Sequence, residues 1–176
     1  MATNDRRSWT LSNIIEFFYY IFQIEFFNTL FKLLLACFLG GLIGFERESI
    51  HRPAGLRTHA LVCVGSCLVM LTSEYIFNTF YNGIATADVA RLGAQVISGI
   101  GFLGAGTILR QDNGVKGLTT AASLWAVACI GLATGIGYYE GAIISSIIVY
   151  VILIFFRPLA NKSHLYDDKN DDNDVE

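Results

Sequence analysis

Five apolar runs joined by short polar loops constrain the fold of this chain more than any other feature. They cover residues 28–45, 59–77, 89–109, 118–135 and 141–156. A helix needs about 20 mostly apolar residues to cross the hydrocarbon core of a bilayer. Charged residues make up only 15% of the chain, against about 25% in ordinary soluble domains. The sequence therefore predicts an all-α integral membrane bundle of about five transmembrane helices.

The two ends of the chain are predicted to lie outside this transmembrane domain of residues 28–156. Residues 1–27 contain an aromatic-rich run interrupted by two glutamates, which makes a poor membrane span. We expect an interfacial helix there, anchored at the headgroups by Trp9, Tyr19 and Tyr20. Residues 157–176 end in a run of acidic side chains, and such a run of like charges favours a disordered tail.

Lysine and arginine are distributed unevenly between the loops. The loops after the second and fourth runs contain neither. Lysine and arginine occur in the loops after the first and third runs and in the C-terminal segment, namely Arg47, Arg52, Arg57, Arg110, Lys116, Arg157, Lys162 and Lys169. By the positive-inside rule, which counts Lys and Arg alone, these segments face the cytoplasm. We therefore expect the N-terminus outside and the C-terminus in the cytoplasm.

The third run carries the densest set of polar side chains. Its candidates are three, four and three residues apart, which places them on one face of a helix: Asp88, Arg91, Gln95 and Ser98. A charge near the centre of a membrane costs about 2.5–3.5 kcal/mol on insertion scales, so we expect neighbouring helices to hide this polar stripe from lipid. Two interpretations stay open. The stripe either locks the helix end to its neighbours or lines a cavity, an ion site or a ligand site.

Glycines recur at positions where helices are expected to approach each other closely. Gly40 and Gly44 have the four-residue spacing of small residues that is typical of close contacts between membrane helices. The third run contains four more candidates, namely Gly99, Gly101, Gly104 and Gly106. We predict that these glycines pack against neighbouring helices. For the third run, a bent helix whose carbonyls line a cavity is the alternative.

The starts of the second and fourth runs provide the remaining candidates. Arg57 stands at the predicted start of a helix, where the helix dipole disfavours a cation. We therefore predict an ion pair between Arg57 and Glu46, which lies at the end of the first run. Thr119 and Thr120 begin the fourth run, where they are suited to capping the helix near the cytoplasmic charges.

Several classes of function receive no support from the sequence. No Ser-His-Asp, Walker or haem pattern is present, and the three histidines have no Cys or His partners at metal-ligand spacing. The four cysteines lie in apolar runs, where we expect them to pack as small hydrophobic side chains. A net charge of −3 provides no basic surface for nucleic acid. We expect a non-enzymatic protein of the lipid bilayer with no bound cofactor.

Four stretches of the chain carry a resemblance to a known family. They are residues 40–48 (GGLIGFERE), residues 54–59 (AGLRTH), the third run with its AQV and GIGFLGAG segments, and residues 117–125 (GLTTAASLW). In this order they resemble the MgtC/SapB family of bacterial inner-membrane proteins, over about residues 24–156. The family's functional Asp corresponds to Asp88, and its Glu and Arg near the first loop correspond to Glu46 and Arg57.

The resemblance implies a function as well as a fold. It implies a role connected with magnesium limitation and, for some members, with survival inside host cells. It also implies regulation of other membrane proteins, including the F-type ATP synthase. Compared with longer members, this chain has an extra segment at residues 1–23 and is expected to lack a soluble C-terminal domain.

Two hypotheses for the function follow. The first is a regulator in magnesium or envelope homeostasis that acts through helix–helix contacts, including self-association as a homodimer. The alternative is a transporter of Mg²⁺ or another cation, with Asp88, Arg91, Gln95 and Glu46 along its path. Because Mg²⁺ prefers oxygen ligands and keeps several waters, an Asp beside an Arg is a poor site for it. We therefore expect a closed interior rather than a channel between Asp88 and Glu46.

Overall fold

The computed structural model describes residues 5–80, 88–111 and 114–157, with side chains from residue 23 onward. This part of the chain forms five helices and one small hairpin. The helices are α1 (Asp5–Ser49), α2 (Leu56–Phe80), α3 (Ala90–Gly106), α4 (Leu118–Ile136) and α5 (Tyr139–Phe155), and the strands β1 (Leu109–Gln111) and β2 (Gly114–Lys116) lie between α3 and α4. The predicted all-α membrane bundle is confirmed.

The helices differ in how well they match the thickness of a bilayer. Three are long and apolar enough to cross a membrane, namely the Gln23–Ser49 part of α1, α2 and α4. Helices α3 and α5 have 17 residues each, which corresponds to about 26 Å against about 30 Å of hydrocarbon. Shorter helices of this kind need a locally thinner bilayer or shielding at their ends, and both pack beside the longer α4.

Helix α1 differs from its prediction. A boundary was expected between residues 27 and 28, with a separate interfacial helix before it. The helix instead continues without a break from Asp5 to Ser49, because no glycine or proline occurs before Gly40 to interrupt it. The segment expected to be interfacial is therefore the first part of α1, and its depth in the membrane stays a prediction.

The end of α3 also differs from the sequence-based expectation. The third run was predicted to continue to residue 109, but the helix ends at Gly106. The antiparallel pair β1–β2 follows, with Leu109 opposite Lys116 and Gln111 opposite Gly114. Gly114 has a φ of 123°, a left-handed conformation that glycine adopts without steric cost.

Helices α2 and α4 form the centre of the bundle. Helix α4 contacts all four other helices, and α2 contacts α1, α3 and α4. The apolar core between them and α1 consists of small and medium side chains. Its fully buried members include Ala36, Ile43, Cys63, Cys67 and Val127. Cys63 and Cys67 thus pack as small hydrophobic side chains, as expected.

Glycines let α1 and α4 approach α2 from two sides. A Cβ added at Gly40 would lie 2.6 Å from Cys63 Cβ, and one at Gly44 would lie 2.8 Å from Leu56 Cα. On the other side, a Cβ at Gly135 would lie 2.6 Å from the Cys67 carbonyl oxygen. Because real Cβ atoms do not approach so closely, these helices can pack at this distance only with glycine at these positions. The predicted packing role of Gly40 and Gly44 is confirmed.

We expect Gly40→Ala to destabilise the protein and the neighbouring Gly41→Ala to leave it unchanged or slightly more stable. The methyl group at residue 40 would meet the Cys63 side chain and the His59 backbone, and overpacking of this kind costs about 1–3 kcal/mol. At residue 41 a methyl group would lie 3.5 Å from Leu56 Cδ1, an ordinary contact. Alanine also favours a helix by about 1 kcal/mol over glycine. Thermal unfolding in detergent measures both, and equal losses would contradict the close contact.

Candidate functional site

A buried polar cluster lies where the end of α1 meets the starts of α2 and α4. We call it the Glu46 cluster; its members are Glu46, Arg47, His59, Thr120 and Ser123. Each has at most 6% of its surface exposed. The short connection from α1 to α2 brings the first two of these elements together, and the close packing of α2 with α4 adds the third.

Arg47 links α1 to α4 within this cluster. Its Nη1 atom lies 3.6 Å from Glu46 Oε2, and its Nη2 atom donates to Thr120 Oγ1 over 3.4 Å. Both side chains of the ion pair are almost completely buried, with 4% of Arg47 and 6% of Glu46 exposed. Removing two charges from water costs several kcal/mol each, so loss of either partner alone would leave an uncompensated buried charge.

His59 links α2 to α4 in the same cluster. Its Nδ1 atom lies 2.9 Å from the Gly55 carbonyl oxygen, and its Nε2 atom lies 2.9 Å from Ser123 Oγ. Because a carbonyl oxygen only accepts hydrogen bonds, Nδ1 carries a proton in this arrangement. The fully buried ring therefore holds the first turn of α2 against α4.

The Glu46 carboxylate has unused hydrogen-bonding capacity. Among the described residues, neither of its oxygens nor the Arg47 Nε atom has a hydrogen-bond partner. A buried acceptor without a partner costs about 1–3 kcal/mol, and more when it is charged. The carboxylate can accept a hydrogen bond from a ligand or contact a cation. Within the described part of the chain, however, no group of three His, Cys, Asp or Glu side chains is placed to hold a metal ion.

The predicted ion pair between Arg57 and Glu46 is not formed. Arg57 is exposed, and the partner of Glu46 is Arg47, the next residue in α1. The start of α2 is instead stabilised by Glu48, whose Oε2 accepts a hydrogen bond of 2.8 Å from the Leu56 backbone N–H. A carboxylate at this position satisfies a free N–H group of the first turn and interacts favourably with the helix dipole.

The two threonines at the start of α4 behave differently. Thr120 is 1% exposed and accepts the hydrogen bond from Arg47. Thr119 is exposed and lies outside the Glu46 cluster. Only one of the two threonines therefore contributes to this cluster. The predicted capping role is wrong for both, because the N-cap residue of α4 is Gly117 and no side chain caps the helix.

The polar stripe of α3 points away from the bundle. We call this surface the outer face of α3. Its polar members Asp88, Arg91, Gln95 and Ser98 are all exposed. The side of α3 that packs against α2 and α4 is the opposite one, with Gly93, Ile100 and Gly104 buried. The expectation that neighbouring helices of the same chain hide the stripe is therefore wrong.

Contacts of the stripe are local. Asp88 Oδ1 accepts a hydrogen bond of 2.9 Å from the Ala90 backbone N–H, and Ser98 Oγ donates to the Ala94 carbonyl over 3.2 Å. The ion pairs found among the described residues, Lys32–Glu74 and Glu46–Arg47, include neither Asp88 nor Arg91. The stripe therefore does not lock α3 to the described part of the bundle.

The glycines of α3 divide between the two sides of the helix. A Cβ at Gly104 would lie 3.5 Å from Ala121 Cβ, in ordinary contact with α4. At Gly99, Gly101 and Gly106 a Cβ would meet no atom of the described structure within 4 Å. Gly104 therefore contacts α4 as predicted. The other three make no such contact within the described chain, and their packing against another chain stays a prediction.

A second ion pair, in which only the lysine is buried, lies at the opposite end of the bundle and was not predicted. Lys32 Nζ in α1 is 3.4 Å from Glu74 Oε2 in α2, and only 6% of the Lys32 side chain is exposed. Both residues are isolated charges within apolar runs. The pair could have been predicted from the sequence, because an ionisable residue within a membrane span is by default a candidate functional residue that pairs with another polar group.

Apolar side chains fill the interior between the two ion pairs. Leu39, Ile43, Cys63, Val127 and Ile130 lie there, each with at most 4% of its surface exposed. Asp88 is on the outside of α3 rather than at the end of an interior path. This arrangement agrees with the closed interior expected between Asp88 and Glu46.

Comparison with known proteins gives consistent matches. The sequence profile of the MgtC family matches residues 33–162. The protein named "Putative magnesium transporter YhiD" from Escherichia coli K12 is 42% identical over 129 residues, which are 73% of this chain and 60% of that protein. Protein SapB of Bacillus subtilis is 43% identical over 74% of this chain and 57% of its own length.

The same comparison extends to proteins named MgtC. Protein MgtC of Salmonella typhimurium is 41% identical over 136 residues, which are 77% of this chain and 55% of that protein. The chain thus spans about half to three fifths of the length of the curated relatives it matches. No solved structure matches the chain.

We expect Arg47→Ala to destabilise the protein far more than Arg57→Ala. Removing Arg47 leaves the Glu46 carboxylate buried without its counterion, which costs about 3–5 kcal/mol. Arg57 is exposed, and exposed substitutions usually stay within about 0.5 kcal/mol.

Thermal unfolding in detergent measures the difference, with Arg52→Ala as a second exposed control. Replacing both partners, as Glu46→Gln with Arg47→Met, should recover much of the loss because no buried charge remains. Similar melting temperatures for Arg47→Ala and Arg57→Ala would show that the pair does not contribute to stability.

Proposed function

The chain belongs to the MgtC family, and from this membership we propose that it is a non-enzymatic protein of magnesium or envelope homeostasis that acts on other membrane proteins. The names of its relatives support the connection with magnesium, since one of them is named "Putative magnesium transporter YhiD". The proposed location is the inner membrane of a bacterium. The proposed mechanism is contact between helices, for which the outer face of α3 is the surface.

The observation that carries this proposal is the polarity of the outer face of α3. Arg91 and Gln95 are exposed on a helix of a membrane bundle, and hydrocarbon offers them no hydrogen-bond partners. Polar side chains in membrane spans therefore face protein or water. Because the described part of the bundle does not cover this face, our proposal assigns its cover to a second protein.

The shape of the outer face fits a helix from that second protein. Gln95, Gly99, Phe102 and Gly106 follow each other at helical spacing, so they lie in one line along α3. Phe102 is 84% exposed, and the two glycines beside it leave open space. A large side chain between small ones allows another helix to approach closely and interlock.

A second copy of the chain is the partner we propose first. Asp88 and Arg91 are one helical turn apart on the outer face. In a two-fold pair of parallel helices, Asp88 of each copy comes within reach of Arg91 of the other. The surface is thus complementary to itself, which a two-fold interface requires. A different membrane protein, such as the F-type ATP synthase implied by the family resemblance, would use the same face.

The proposed orientation places the N-terminus outside and the C-terminus in the cytoplasm. The structure supports it, because the basic residues Arg47, Arg52 and Arg57 lie at the same end of the bundle as Arg110 and Lys116 of the hairpin. By the positive-inside rule this end is cytoplasmic. The Glu46 cluster then lies on the cytoplasmic side, and the Lys32–Glu74 pair lies on the outer side.

Two glycine substitutions in α3 separate self-association from folding. We expect Gly99→Leu to abolish the dimer in detergent and to leave the melting temperature of the monomer unchanged, because the position is open in a single chain. We expect Gly104→Leu to lower the melting temperature, because its side chain would collide with Ala121 of α4. Multi-angle light scattering and thermal unfolding measure the two effects. A wild-type protein that is monomeric in detergent and shows no crosslink through Phe102→Cys in membranes would exclude the second copy as partner.

A cation transporter is the second candidate. The carboxylate of Glu46, buried without hydrogen-bond partners among the described residues, favours this candidate. So does the name of the relative YhiD. The apolar interior between the two ion pairs and the outward position of Asp88 count against it, because the described residues of a single chain form no polar path between them.

Flux through reconstituted liposomes decides between the two candidates. We expect the purified protein to give no more Mg²⁺ entry than protein-free liposomes, measured with an enclosed Mg²⁺-sensitive dye. Flux that requires the protein and is lost in Asp88→Asn would overturn the proposal of a regulator. Absence of flux, together with a membrane partner crosslinked to the outer face of α3, would exclude the transporter.

A further inference from the structure

A polar cavity of about 600 Å³ opens between α1 and α2 at the end of the bundle opposite the Glu46 cluster. One wall comes from α1, with Glu25, Asn28 and Lys32, and the other from α2, with Glu74 and Asn78. These side chains recur at helical spacing on both helices, so each helix presents a polar stripe to the other. The cavity is separate from the outer face of α3 and does not depend on the function proposed for that face.

The Lys32 ammonium group at the closed side of this cavity has unused donors. It is 6% exposed, and Glu74 Oε2 at 3.4 Å is its one polar contact within the described residues. This distance is long for a charge-assisted hydrogen bond, which is usually about 2.8 Å. An ammonium group has three N–H donors, and a buried charge favours further partners. An anionic group of a ligand would supply them.

The carboxylates of the cavity exclude a simple anion. Glu74 remains 44% exposed although it pairs with Lys32, and Glu25 adds a second negative charge at the open side. The three ionised side chains together carry a net charge of −1. A simple anion at Lys32 lies beside the Glu74 carboxylate and gains no second contact that offsets the repulsion. A simple cation can pair with Glu25 but leaves the donors of Lys32 unused. A ligand that carries an anion and an ammonium group contacts both Lys32 and Glu25, and the second ion pair offsets the repulsion by Glu74.

The spacing of these charges fits a short zwitterion. Glu25 and Lys32 are two turns apart on α1, or about 10 Å along the helix. A ligand can have an ammonium and a phosphate group joined by two carbons. With one hydrogen bond at each end, such a ligand spans the distance between Glu25 and Lys32. The amides of Asn28 and Asn78 lie on the cavity wall, where they can donate to phosphate oxygens.

The surroundings of the cavity indicate that such a ligand comes from the membrane. Tyr75 of the cavity wall and Tyr138 just before α5, at the same end of the bundle, are each more than half exposed. Tyrosine is enriched at the level of the lipid headgroups, which favours this level for the cavity. Phe27, Phe31 and Phe80 are also more than half exposed, and acyl chains of a bound lipid would contact them.

We propose that the cavity between α1 and α2 binds the headgroup of a zwitterionic aminophospholipid, with the phosphate at Lys32 and the primary ammonium at Glu25. This assignment predicts selectivity among phospholipids with different headgroups. Phosphatidylcholine has the same charges but no N–H donor for a carboxylate, and phosphatidylglycerol has no cation. Both should bind more weakly than phosphatidylethanolamine.

Lipid retention on the full-length protein tests the proposal. The protein in detergent is stripped of lipid and titrated with phosphatidylethanolamine, phosphatidylcholine or phosphatidylglycerol, and binding is followed by native mass spectrometry and by the shift in melting temperature. We expect phosphatidylethanolamine to bind about tenfold more tightly than the other two, which corresponds to about 1.4 kcal/mol. Glu25→Gln should abolish this preference without affecting the fold, because Glu25 is exposed.

Two further variants serve as controls for the lipid-binding experiment. Glu140→Gln removes an exposed carboxylate at the start of α5, outside the cavity lining, and should keep the preference. Lys32→Met should weaken binding of phosphatidylethanolamine and phosphatidylglycerol alike.

Equal stabilisation by free phosphoethanolamine would assign the same chemistry to a soluble ligand. Equal binding of all three lipids, or an unchanged preference in Glu25→Gln, would overturn the proposal and leave the Lys32–Glu74 pair as a structural contact.

Discussion

The contact of α2 with glycines on two neighbouring helices is the constraint on which the rest of the structure depends. Gly40 and Gly44 of α1 and Gly131 and Gly135 of α4 touch the α2 backbone or its first side-chain atoms. Dispersion attraction and buried polar contacts hold membrane helices together where the hydrophobic effect does not, and both need short distances. The hydrogen bond between His59 and Ser123 and the contact between Arg47 and Thr120 exist because the three helices lie so close.

The positively charged side chains in the helices of this bundle fall into two groups, those that are paired and buried and those that are exposed on the surface. Arg47 and Lys32 each pair with a carboxylate and are almost completely buried, so the chain compensates their charge by itself. Arg91 is exposed on the outer face of α3, away from both pairs. The difference arises because, among the described elements, α3 packs mainly against α2 and α4 and uses its glycine side for that contact. One helix is thus left with a polar surface that the described part of the chain does not cover.

Fold and packing could be predicted from the sequence wherever a pattern acts locally. The apolar runs, the start of α2 and the close contact at Gly40 and Gly44 follow from composition and spacing. The Arg57–Glu46 pair could not be settled in this way, because sequence distance does not show that Arg47 points into the bundle and Arg57 away from it. The hairpin after α3 was not predicted, although Asn-Gly at 113–114 is a strong hairpin signal, because the apolar residues up to residue 109 favoured a longer helix.

The direction of the α3 stripe has consequences for both hypotheses about function. Helical periodicity shows that Asp88, Arg91 and Gln95 share a face, but it contains no information about which side of the helix the rest of the chain covers. A transporter needs this face to line a path inside one chain or between chains, and the apolar core closes the first of these options. A regulator needs it to meet another protein, which the outward direction permits directly. The outward direction of the stripe contradicts the expected burial of these side chains. It favours a protein that functions by binding a partner at this surface.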